Sequence, residues 1–159
     1  MPTVDVTSTP LTPSARLKAA LRLTRWLATH GSNAAHVVVS FRTAEPMTYF
    51  AGGMPLTTYA EGAAEDKRAR WASVVCHVHP DRDHAYRAEL AEEIRAALGL
   101  DADATHLMVR FEATRPDRVA YLESGSMTSG GPPPAGRSQE SGPQPVARSH
   151  EKGSRHAHH

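Results

Sequence analysis

Stepping forward by 70 positions from the early part of this chain repeatedly returns the same residue type. Pro10 matches Pro80, Ala15 matches Ala85, Arg25 matches Arg95, Ala34 matches Ala104, His36 matches His106, Val39 matches Val109, Phe41 matches Phe111 and Pro46 matches Pro116, with no gap anywhere. An ungapped register of this length means two copies of one supersecondary unit, and neither copy can bury its apolar face alone. The two copies are therefore expected to build one domain together.

The unit itself follows from local pattern. Val4 and Val6 alternate with polar residues over Thr3 to Thr7, the period-2 signature of a strand with one buried face. Thr12 is an N-cap candidate with Pro13 at the first helical position. Leu17, Ala20, Leu21, Thr24 and Leu27 then recur on one helical stripe until Gly31 stops the helix. HVVVSF, from His36 to Phe41, is β-branched and compact enough for a strand, and EPMTYFAGG reads as a turn leading to a short edge segment. The order recurs with a strand from Trp71 to His79 and a helix from Arg82 to Leu98, which turns Leu90, Ala91, Ile94, Ala97 and Leu98 inward. A strand from Thr105 to Phe111 follows.

Two β-α-β units predict an α+β domain: a four-stranded sheet with both helices on one face, because each crossover keeps the same hand. The domain is expected over 1–123, with repeat units at 2–53 and 70–122. Its other face, expected to carry apolar strand residues, would need covering, and a homo-oligomer is the natural means. From Ser124 the composition turns to Gly, Pro and Ser, so 124–159 is expected to be a disordered tail. His156, His158 and His159 read as part of that solvated tail, and no metal site is assigned to them.

Composition excludes several partners. With 18 Lys and Arg against 17 Asp and Glu, the net charge is +1, so there is no basic field for nucleic acid or an anionic membrane. Cys76 is the only cysteine, which rules out an intramolecular disulfide and a thiol metal cluster and fits a reducing compartment. MPTVDVTSTP lacks a basic start and an apolar run, and no stretch nears the roughly 18 apolar residues of a membrane span. The expected location is the cytoplasm.

Pro2 follows Met1 and is small enough for the initiator methionine to be removed, which would leave a ring secondary amine at the chain start. Desolvation at a sheet edge would lower the pKa of that amine toward neutrality, where a general acid-base group is most effective. His77 and His79 flank Val78, but His-x-His without a third ligand is not a metal site. No cofactor is expected. Cys76 reads as a small buried side chain.

The proline, LTPSAR with its helix, HVVVSF, TYFAGG, AELAEEIRAALG and HLMVRF together resemble the tautomerase superfamily, in the branch typified by cis-3-chloroacrylic acid dehalogenase, over Pro2 to about Leu122. The resemblance implies a trimer and a small carboxylate substrate. It also implies an amino-terminal proline as acid-base group, two arginines near the second helix, and a helper histidine, tyrosine and glutamate. Pro2 takes the proline position and Arg82 one arginine position, where a planar fork suits a carboxylate. His79 stands at the other arginine position, Leu27 where the histidine would be, and Arg110 where the tyrosine would be. Glu123 is the nearest glutamate. Strand alternation puts Arg110 on one face with His106 and Met108. Pro2 is thus the candidate catalytic residue, and Arg82, Arg110, His79 and His106 the candidate substrate-binding set. As repeat equivalents, His36 and His106 also read as structural or interface histidines.

Three functions follow. One is a keto-enol tautomerase (an isomerase) of a small 2-oxo or unsaturated acid. Another is a hydratase or hydrolytic dehalogenase of halogenated or acetylenic acids, which needs a water-activating group that Leu27 does not supply. The third is a catalytically inactive oligomeric binding protein.

Overall fold

The computed structural model describes residues 2–56, 65–102 and 104–129. Strand β1, Thr3–Ser8, leads to helix α1, Pro13–Thr29, and strand β2, Val38–Thr43. A short hairpin follows, β3 Phe50–Ala51 with β4 Met54–Pro55. Strand β5, Trp71–Val78, helix α2, His84–Ala97, and strand β6, His106–Ala113, repeat the order. A second hairpin, β7 Ala120–Glu123 with β8 Ser126–Ser129, comes last. The predicted tandem β-α-β architecture is the observed one.

Parallel strands need a crossover, and each helix supplies one: β1 pairs parallel with β2, and β5 parallel with β6. The two units join where β1 and β5 run antiparallel, giving the sheet order β2-β1-β5-β6. Thr12 caps α1 by accepting the Ala15 N–H at 3.2 Å, with Pro13 in the first turn as its restricted φ favours. Asp83 caps α2 by accepting the Tyr86 N–H at 2.8 Å.

One face of the sheet meets both helices. Val4 and Val6 from β1, with Val74, Cys76 and Val78 from β5, close on Leu23 and Leu27 of α1 and on Leu90 and Ile94 of α2. Burying each of these larger aliphatic side chains stabilises the fold by about 1.5–3 kcal/mol. The inward stripe of α1 differs from the sequence expectation: Ala19, Leu23 and Leu27 are buried, while Leu17 and Leu21 are 61% and 59% exposed. Both stripes have helical period, but the one through Leu17 passes Thr24. The other, Ala15-Ala19-Leu23-Trp26-Leu27, is apolar throughout, and its alanines let the helix approach the sheet.

The open face of the sheet is also not as expected. Alternation sends Thr3, Asp5 and Thr7, Ser40 and Arg42, His77, and Arg110 and Glu112 to it, interrupted by Val38, Val75 and Met108. Ser40 Oγ donates to Asp5 at 2.5 Å, His77 lies 3.8 Å from Asp5 and 3.6 Å from Glu112, and Arg110 lies 3.1 Å from Glu112. This is a polar network rather than an apolar patch.

Ser124 and Gly125, expected to begin the tail, form the turn of the last hairpin, with φ of 49° and 82° as a tight hairpin turn requires. Gly and Ser there are turn chemistry. The rest of the expected tail, with His156, His158 and His159, lies outside the described residues. Among the described residues, no helix is long and apolar enough to cross a membrane.

Candidate active site

The start of β1, the end of α1 and the approach to α2 meet at one edge of the sheet and enclose a cleft of about 180 Å³. Pro2 lies there because the Val38 N–H donates to its carbonyl at 3.3 Å, extending the β1–β2 pairing by one residue. Gly31, Ser32 and Asn33 bring the chain across after α1, and Val78 closes the floor. Larger grooves of about 600 and 560 Å³ run over the outer faces of the helices, but they contain neither Pro2 nor Arg82.

His79 and Arg82 reach the cleft through the turn His79-Pro80-Asp81-Arg82. The Arg82 N–H donates to the His79 carbonyl at 3.1 Å, and Pro80 supplies the φ that the second position of such a turn needs. β5 ends at Val78, so His79 belongs to this turn and not to the strand face that carries His77. His79 Nδ1 accepts the Asp81 amide N–H at 3.2 Å and lies 3.3 Å from the Asp81 carboxylate, so a carboxylate stands directly beside this ring.

Arg82 differs in this respect: no carboxylate pairs with it among the described residues. Its guanidinium lies 4.5 Å over the ring of Tyr86, one helical turn on. Gly31 is also close, and an added Cβ there would be 3.7 Å from Nη2. Burial pushes the Tyr86 phenol above its ordinary value, with the Arg82 charge pulling the other way. The first turn of α2 is already capped by the Asp83 carboxylate, so the group that the cleft offers an anion is the Arg82 guanidinium.

His36 and Tyr86 line the same cleft and were not in the sequence-derived site. The His36 ring lies 4.2 Å from that of Tyr121 on β7. For Tyr86, the available signal was its spacing of four from both Arg82 and the buried Leu90, which puts all three on one side of the helix start.

Within one chain, Arg110 and His106 are not brought to Pro2. Arg110 lies on the open face against Glu112, and His106 is the register partner of Trp71, while Thr3, next to Pro2, pairs with His77. Six residues of strand separate those ends, about 20 Å. Leu27 is wholly buried in the core. Glu123 closes β7 opposite Ser126.

The repeat does not build a second cleft of this kind from the described residues. Ala72 stands where Pro2 does, and Thr9, Thr12 and Arg16 stand for His79, Arg82 and Tyr86. Thr9 accepts the Arg70 N–H, Thr12 caps α1 and Arg16 pairs with Glu65. Trp71, fully buried under Tyr49 at 4.9 Å between rings, fills that end.

No protein-family model and no curated protein matches the chain. Solved structures do. A member of the cis-3-chloroacrylic acid dehalogenase (cis-CaaD) family superposes with a TM-score of 0.56 at 17% identity, over 79% of this chain and 82% of that one. A fused 4-OT described as a symmetric trimer gives 0.55 at 17% identity, over 75% and 90%. Macrophage migration inhibitory factor of Toxoplasma gondii gives 0.54 at 14% identity, over 79% and 99%. These are tautomerase-superfamily structures, and this chain has their fold.

Proposed function

Starting from the tautomerase-superfamily fold, we propose that the chain is a keto-enol tautomerase of a small 2-oxo or unsaturated carboxylic acid, with Pro2 as acid-base group once Met1 is removed. The observation that carries this reading is that Pro2 and Arg82, a guanidinium with no carboxylate partner among the described residues, share one cleft.

The substrate carboxylate accepts hydrogen bonds from Arg82, which sets the 2-oxygen and C3 against the proline nitrogen. In the ketonising direction the amine takes the enol hydroxyl proton, and the resulting ammonium returns a proton to C3, which restores the neutral amine. In reverse the amine removes a C3 proton, and the C–H electron pair moves into the enolate. Arg82 steadies the charge that develops on oxygen. The neighbouring cation and desolvation both disfavour the protonated amine, which is what a base working near neutrality needs. One unanswered guanidinium suits a substrate with one carboxylate. No cofactor enters the scheme.

The working unit is a homo-oligomer, a trimer by likeness to the fused 4-OT structure. In such an assembly Arg110 and His106, distant from Pro2 in their own chain, would serve a neighbour's cleft. The domain over 1–123 and a cytoplasmic location belong to the same reading. Adding water to the substrate is less well supported, because Leu27 is sealed in the core and brings no water-activating group.

The test is enol-keto exchange of phenylpyruvate, followed across pH on the processed protein and on Pro2→Ala. Loss of about 10²- to 10⁴-fold in the variant is expected, the usual contribution of a positioned acid-base group. Exchange that is indifferent to Pro2 would overturn the mechanism.

A further inference from the structure

We propose that Tyr86 is a positioning residue, holding the Arg82 guanidinium on its ring face in the orientation that receives the substrate carboxylate; this rests on the tautomerase reading of the cleft. A long arginine side chain without a carboxylate partner has many rotamers open to it, and a ligand that needs one of them must offset the entropy of choosing it. Here the choice is made beforehand. The guanidinium carbon sits 4.5 Å over the Tyr86 ring, and Gly31, whose φ of +87° disfavours any side chain, lies beside Nη2, where an added Cβ would be in ordinary contact at 3.7 Å.

The ring is itself fixed from behind. Tyr86 packs against Trp26 at 5.2 Å with the planes 57° apart, and edge-on to His30 at 6.1 Å. Trp26 and His30 stack on one another at 3.7 Å and 18°, and His30 Nδ1 lies 2.7 Å from the Trp26 carbonyl, the geometry of an N–H donating to it. The last turn of α1 and the first turn of α2 thus make an aromatic shelf with the arginine laid on its outer edge. No hydrogen bond is made to the Tyr86 hydroxyl among the described residues, so the ring, not the oxygen, carries the contact.

The experiment has one arm independent of activity. Ring current from Tyr86 shifts the Arg82 side-chain protons upfield in the NMR spectrum. The shift is expected to survive Tyr86→Phe and to collapse toward free-arginine values in Tyr86→Leu, or in Tyr86→Met should the leucine variant fail to fold. The second arm measures 3-phenylpropionate binding and phenylpyruvate kinetics. Tyr86→Leu should raise Kd and KM about three- to tenfold with a smaller change in kcat, the scale of one partly exposed cation–π contact. Tyr86→Phe should recover most of that loss, and in an Arg82→Ala background Tyr86→Leu should add nothing. Unmoved Arg82 resonances, or full additivity with Arg82→Ala, would overturn the proposal. Failure of the tautomerase reading registers separately, as phenylpyruvate exchange indifferent to Pro2.

Discussion

Asp5 and Val75 stand opposite each other as register partners on β1 and β5, and they are also 70 positions apart, each the repeat equivalent of the other. A pseudo-twofold axis therefore passes between them. The neighbouring pairs obey it: Thr3 with His77 maps onto Ser73 with Thr7, and Thr3 with Val38 maps onto Ser73 with Met108. The axis relates the backbones but not the chemistry. At one end the strand begins at Pro2 beside an open cleft; at the other Trp71 is buried under Tyr49.

That asymmetry predicts a division of labour. Trp71→Ala should cost about 3–5 kcal/mol in urea unfolding, since it empties a fully buried indole site. Its kcat/KM on phenylpyruvate should stay within a few-fold of wild type under conditions where it is folded. Pro2→Ala should show the reverse, with the unfolding midpoint nearly unchanged and activity lost.

The exposed and buried leucines of α1 predict a second contrast. Leu23→Ala should destabilise by about 2–5 kcal/mol, whereas Leu17→Ala and Leu21→Ala should each lie within about 0.5 kcal/mol of wild type. Thermal or denaturant midpoints of the three variants decide it, and equal losses at Leu17 and Leu23 would mean that the helix is rotated.

How far the sequence could be read follows from such cases. The repeat register carried the topology, because an ungapped offset transfers every strand and helix from one unit to the other. It did not carry the phase of α1, where two apolar stripes share the helical period and only packing against the sheet chooses between them. Nor did it carry the nature of the open face: Asp5, Ser40, His77 and Glu112 look like ordinary polar alternation until the register lays them side by side.

The candidate cleft was legible in part. Pro2, His79 and Arg82 converge because a strand start and the turn after β5 lie at one sheet edge. Tyr86 was hidden because an aromatic on the buried side of a helix reads as core, and only the third dimension lays a guanidinium across it. Arg110 was grouped with the cleft by resemblance and His106 with Arg110 by strand alternation, yet the parallel register takes His106 to the opposite end of the sheet.

Cys76 should be inert in the native protein. Burial, with a smaller contribution from the Asp5 charge, pushes its thiol up to about 12, so almost no thiolate exists at pH 8, and the side chain has no exposed surface. A disulfide reagent such as DTNB should give no reaction in buffer on a timescale of minutes, and one thiol per chain in guanidinium. Fast native reaction would mean that the core between β5 and α2 opens readily.

The last prediction concerns the clamp between the helices. Arg22 of α1 meets Glu93 of α2 with two contacts, Nε to Oε1 at 2.6 Å and Nη2 to Oε2 at 3.1 Å, a planar fork on a carboxylate. That hydrogen bonding holds the Glu93 carboxyl below its ordinary value of 4.5 and raises Arg22. A carboxyl with a depressed folded-state pKa favours the fold fully above its unfolded value and loses that contribution as pH falls through the folded value. Arg22 is half exposed and water screens the pair, so its worth at pH 7 is under about 1 kcal/mol despite the good geometry. Glu93→Gln should therefore be slightly less stable than wild type at pH 7. The gap should close as pH falls below the ordinary carboxylate range and through the depressed folded-state value, where the wild-type carboxyl becomes protonated as well. Paired thermal melts in a series from pH 7 into the acid range test this. A gap that persists undiminished at the lower pH would mean that Glu93 contributes through packing of its aliphatic stem between the helices, not through its charge.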